Sequence, residues 1–190
     1  MPELTILTTP NQTLRTKSKA VGKLDDRVLR AVAQMKKALR ASKVPGVGLS
    51  AIQLGEPLRI FIAYLPPNVE PSIFINPKII WRSKELNTDV LDKENLLLEG
   101  CLSVPGIYAL IKRPWAIKLE YQTLSQKSEV RGQGSGVRNG QRSEFEGFNA
   151  TLVQHEIDHC NGTLFTDRAL EQGTQIYEVG KDEELHPVRL

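Results

Sequence analysis

Two histidines four residues apart in an apolar stretch, His155 and His159 of FNATLVQHEIDHC, constrain this chain more than any other feature. On a helix, positions i and i+4 share a face, so both imidazoles can reach one ion. Ala150, Leu152 and Val153 precede the pair, which turns that face inward. A buried imidazole needs a partner, and a divalent metal supplies one. Glu156 follows the first histidine directly, the place of a general base for water activated by the ion. The competing reading is a surface helix with two idle histidines. The chain has three histidines in all, and two of them form this pair, which weighs against it.

The remaining pattern describes what surrounds such a helix. Val28, Leu29, Val32, Met35 and Leu39 recur at three- and four-residue spacing, predicting a helix over 25–42 capped by Asp25 or Asp26. The stretch VPGVGLSAIQLGEP is rich in Gly and Pro and reads as a shaped loop with at most a short helical turn. LRIFIAY (58–64), IFINPKIIW (73–81) and WAIKLEYQT (115–123) read as strands, with Pro77 marking an edge or a bulge in the second. A loop leads into a further strand around Cys101. Residues 129–147, polar and rich in Gly and Arg, read as a long hairpin connection. Gly162 closes the helix that carries HEIDH. The tail from Ala169 carries no assigned structure. Helix, strands, then helix fit a single α+β domain, with antiparallel sheets packed around the HEIDH helix in the C-terminal half.

Composition narrows the function. At 190 residues one domain with a sizeable core is expected. A net charge of +3, with basic residues scattered among acids, does not argue for a nucleic-acid site. No apolar run approaches the length of a membrane span. The first residues lack the basic-then-apolar order of a secretory signal, so a reducing, cytoplasmic setting is expected for Cys101 and Cys160. An organellar enzyme shorn of its transit peptide would read the same way.

A catalytic site needs a third protein ligand and an open position. Cys101, Cys160, His186 and the carboxylates are candidates. Cys160 adjoins His159 and points about 100° away around the helix, which suits a buried structural thiol better. His186 lies in a polar tail. Cys101 sits beside Gly100, which permits close backbone approach to a ligand, although a small buried hydrophobe is the plainer role for such a cysteine.

GVGLSAIQ (Gly46 to Gln53), EGCLSVPG (Glu99 to Gly106) and QHEIDHCNGTLFTDR (Gln154 to Arg168), in that order, together resemble peptide deformylase. The resemblance implies a catalytic domain over residues 1–168, with 169–190 as a tail. It implies a metal held by Cys101, His155 and His159, with Fe²⁺ as the native ion and Zn²⁺ a common substitute. The implied substrate is the N-terminal formyl-methionine of new polypeptides. Gln53 and the backbone N–H of Leu102 would bond the formyl oxygen, and Glu156 would handle the proton. The backbones of Val47, Gly48 and Gly100 would line the substrate chain, and Val47 and Leu152 would help form the methionine pocket. The chain departs from the pattern in three places. Ser50 stands where Ala is usual, a small change expected to be tolerated. Cys160 stands where Leu is frequent. The connection RGQGSGVRNGQRSE is longer and more basic than a hairpin needs; a solvated loop is favoured there over a ribosome or RNA contact.

Overall fold

The computed structural model describes residues 5–42, 44–92, 95–124 and 137–188, and the side chains of 137–139 are not described. Helix α1 (Asp26–Ala41) opens the core. The Asp25 carboxylate accepts the Val28 N–H at 3.0 Å, and Val28, Val32, Met35 and Leu39 are buried along one face. Burying each such side chain is worth roughly 1.5–3 kcal/mol. That face packs on β1 (Gly48–Ser50) and β2 (Ile60–Ala63).

Two antiparallel sheets follow. The first has the order β1-β2-β3-β6-β7, with β3 at Ser72–Arg82, β6 at Ala116–Leu124 and β7 at Val137–Glu146. The second has the order β4-β5-β8-β9, with β4 at Glu99–Cys101, β5 at Val104–Ala109, β8 at Ile176–Val179 and β9 at Leu185–Pro187. A short helix α2 (Asn87–Val90) precedes β4. Helix α3 (Gly147–Cys160) lies against the first sheet, where Ala150, Leu152, Val153 and Ile157 meet Phe61, Phe74, Ile117 and Leu119. Helix α4 (Phe165–Gln172) covers β4 and β5. Every α3 residue from Leu152 to Cys160 is buried. The architecture is the expected one, an α+β unit with antiparallel sheets around the HEIDH helix.

Several local expectations change. The Gly-rich stretch before Gln53 contains the strand β1, paired with β2, and then a 3₁₀ turn, Ala51–Leu54. Its two backbone-pairing residues after Gly48, Leu49 and Ser50, are fully buried, and pairing rather than side-chain pattern makes the strand. Of the two readings of Pro77 the bulge holds and the edge does not: it lies in a central strand, between β2 and β6, at a register shift between Ile75 and Lys78. Asn76 takes a left-handed φ of 52° there, and its amide clasps the N–H and C=O of Val21, both at 2.8 Å. Much of 129–147 is strand β7, paired along β6, and residues 129–136 of that segment lie outside the described residues. The tail is structured too: Ala169 is inside α4, and β8 pairs with β5.

Candidate metal centre

The site forms where α3 meets the end of β4. Helix α3 stops at Asn161, and Gly162 takes φ +76° beyond it; a methyl group there would stand 2.4 Å from the carbonyl oxygen of Arg15. Cys101 ends β4, where the pairing with β5 shifts register, and its side chain meets the helix at His159. One ligating atom each from Cys101, His155 and His159 lies within 4.8 Å of the others, and Cys101 Sγ is 3.1 Å from His159 Nε2. Both histidines are buried.

Buried charges orient the first histidine. Its Nδ1 faces Glu99 Oε2 at 2.8 Å. Glu99 stands two residues before Cys101 on the same strand, hence on the same side of it. Arg113 donates Nε and Nη2 to Glu99 and Nη1 to Asp158 Oδ2, the last at 2.9 Å. Arg168 of α4 donates to the other oxygen of Asp158 at 2.8 Å. Burial opposes the charge on Glu99, but the Arg113 guanidinium and the bond from His155 hold its carboxyl down at about 2. Glu99, Arg113 and Asp158 were not anticipated from the chain. Strand period two before Cys101 and helix spacing three after His155 were the available signals.

These residues fit a soft-to-borderline divalent ion. A thiolate and two imidazoles suit Zn²⁺ or Fe²⁺. Burial works against a charged His155, yet the Cys101 sulfur and Glu99 draw its pKa well up, so the cluster favours positive charge at its centre. Burial, with the charges of His155 and Arg113, pushes His159 well down, leaving the neutral imidazole that a metal needs. The buried Nδ1 of His159 has no partner among the described residues.

The other expected residues gather around this cluster. Glu156 is buried, and that burial raises its carboxyl to about 7, a suitable range for proton exchange near neutrality. Its Oε1 lies over Gly48, where a methyl group would approach to 2.4 Å, so the glycine leaves the carboxylate its place. Gln53 is fixed at both ends of its amide: Oε1 accepts the Ser50 N–H at 2.8 Å, and Nε2 donates to Ser103 Oγ at 3.0 Å and lies 3.7 Å from Cys101 Sγ. Both hydrogens of that amide therefore have acceptors here, Ser103 Oγ and the Cys101 sulfur. Leu102 follows Cys101 directly, with its side chain against the α1 cluster and Gly46. Leu152 is buried with its Cδ1 close to Gly48, whereas Val47 is exposed. Gly100 pairs with Tyr108 and is exposed; a methyl there would strike the tyrosine ring at 2.6 Å. Cys160 is fully buried, with its thiol pushed up to about 12, and is not in the cluster. His186 is exposed beside Asp182 at 2.9 Å.

An HExxH helix offering two imidazoles, a thiolate from a neighbouring strand and a buried carboxylate next to them define a metal-dependent hydrolase. The comparisons narrow that class. The chain belongs to the polypeptide deformylase family, whose model matches residues 3–175. It is 37% identical over 161 residues to a peptide deformylase of Brucella suis, covering 83% of this chain and 79% of the relative. A Dictyoglomus turgidum peptide deformylase is 38% identical, with 85% and 89% covered. The crystal structure of peptide deformylase from Thermotoga maritima superposes with a TM-score of 0.68 at 30% identity, covering 87% of this chain and 96% of that one. Enzymes of this family remove the N-terminal formyl group from nascent polypeptides, and this chain is a hydrolase of that kind.

Proposed function

We propose that Cys101, His155 and His159 hold Fe²⁺, with Zn²⁺ able to replace it, and that Glu156, Gln53 and Leu102 carry out deformylation of an N-terminal formyl-methionine. The observation that supports this most is the placing of a buried carboxylate and a doubly anchored carboxamide beside one thiolate–imidazole cluster. When bound, the ion polarises the formyl oxygen and acidifies water. Glu156 takes the proton of the attacking water and returns it to the amine nitrogen as the C–N bond breaks. Gln53 Nε2 and the Leu102 N–H donate to the formyl oxygen as negative charge grows on it, and losing one such donor typically costs about 10²–10³-fold in rate. The backbones of Val47, Gly48 and Gly100 line the substrate chain, and Val47 and Leu152 form part of the methionine pocket. Residues 1–168 supply all of these groups.

Protein prepared without oxygen and analysed for metal should contain about one iron per chain and release formate from a formyl-Met peptide. Failure to release formate from that substrate, while cleaving unformylated peptides, would move the assignment to a metallopeptidase. Anaerobic handling matters because a thiolate ligand is open to oxidation. A substrate that emerges during translation is consistent with a cytoplasmic setting and a transient ribosome contact, which co-sedimentation with translating ribosomes tests. Among the described residues no helix is long and apolar enough to cross a membrane.

A further inference from the structure

We propose that Ser50, through its hydroxyl, is a positioning residue for Glu156. Its Oγ lies 2.7 Å from Glu156 Oε2 and 2.9 Å from the backbone carbonyl oxygen of the same glutamate. Ser50 is fully buried at the end of β1, so no solvent competes for the contact. With Oε2 gripped, the other oxygen, Oε1, is directed over Gly48, whose missing side chain keeps that space open. The pair of acceptors makes the grip independent of the proton's location. While Glu156 is a carboxylate, or carries its proton on Oε1, the hydroxyl donates to Oε2. With the proton on Oε2, Ser50 accepts it as a hydrogen bond and turns its own hydrogen to the carbonyl. Alanine can do neither. The backbone N–H of the same residue fixes Gln53 Oε1 at 2.8 Å, so one residue sets the base and the amide donor in mutual register.

This inference rests on Glu156 acting as the base, and the test separates the two. Ser50→Ala should lower kcat about tenfold, the usual order for losing a hydrogen bond to a charged group. KM should stay within about twofold and the metal content at the wild-type level. In a Glu156→Ala background the further change Ser50→Ala should leave kcat unchanged, because the carboxylate it positions is gone and its remaining bond, to the backbone carbonyl of residue 156, touches no reacting group. A crystal structure of Ser50→Ala should show the Glu156 carboxylate in more than one position. Wild-type kcat in Ser50→Ala, an undiminished tenfold loss in the Glu156→Ala background, or a singly placed carboxylate would each overturn the inference. If Glu156→Ala itself kept full activity, the assignment of the base would fall, and this inference with it. A large loss there beside an unaffected Ser50→Ala would sink the role of Ser50 alone.

Discussion

The helical and the strand halves of the metal centre are built on different terms. Helix α3 supplies His155, Glu156 and His159 from a single buried element, in which spacing alone sets the geometry. The strand half draws Cys101 from β4, and Ser50 and Gln53 from β1 and the 3₁₀ turn that directly follows it, two segments that meet only through long-range contacts. The helix is nevertheless not self-sufficient. His155 is aimed by Glu99, a strand residue, whereas the other ring nitrogen of His159 has no partner among the described residues. The helix sets the spacing of the site, and the strands set its orientation and chemistry.

The largest test of that division is Cys101→Ala. If the strand half completes the ligand set, the variant should lose most of its metal and fall to background formate release, although both histidines remain. Retention of a full complement of metal and turnover would show that the helix pair suffices with another ligand. Glu156→Gln probes the opposite side. It should keep its metal and lose about 10²–10⁴-fold in kcat, the usual contribution of a general base. Equal loss of metal and rate would mean that Glu156 is a ligand and not a base.

Glu99→Gln should have a smaller effect. Removing a carboxylate that orients a ligating histidine weakens metal binding by about 10–100-fold, measurable by chelator competition. The same residue has a signature in the metal-free protein. Its carboxyl is lowered from the ordinary 4.5 to about 2 in the fold, so the unfolded chain binds the proton more readily. The stability it contributes is present above pH 4.5 and is lost as the pH falls through that range toward 2. The melting temperature of Glu99→Gln should therefore fall less steeply with acid than that of the wild type. Parallel curves would break the assignment of the Arg113–Glu99 pair as its source.

The same division explains what could be read from the chain. HEIDH was legible because ligand spacing, inward face and base position are all local to one helix. The α+β order was legible for the same reason: α1, β6 and α3 each carry their own period, and β2 is a short, continuously apolar run. The β1 strand was not, because three residues between glycines and a 3₁₀ turn have no period, and only pairing with β2 makes them a strand. The structured tail was hidden likewise, since β8 exists through its register with β5. Helix geometry disfavoured Cys160 as a ligand, and the EGCLSVPG match then selected Cys101. Ser50 reads as a harmless replacement in GVGLSAIQ, because the group it holds is 106 positions further along.

Arg168→Ala should be the mildest of these changes, and it asks how far the strand half's influence extends. Arg168 stands at the outer end of the Glu99–Arg113–Asp158 chain, with its side chain about a third exposed and a second partner in Glu171. After its removal Asp158 keeps Arg113 at 2.9 Å, so no buried charge is stranded. An ion pair whose arginine reaches solvent, with the carboxylate still held by Arg113, is worth about 1 kcal/mol or less, a modest shift in denaturant midpoint. Metal affinity should hardly move, because Arg113 still fixes Glu99 and Glu99 still fixes His155. If Arg168→Ala loosened the metal as much as Glu99→Gln does, the orientation of His155 would belong to the whole charged chain. Helix α4 would then count as part of the metal centre and not merely as its cover.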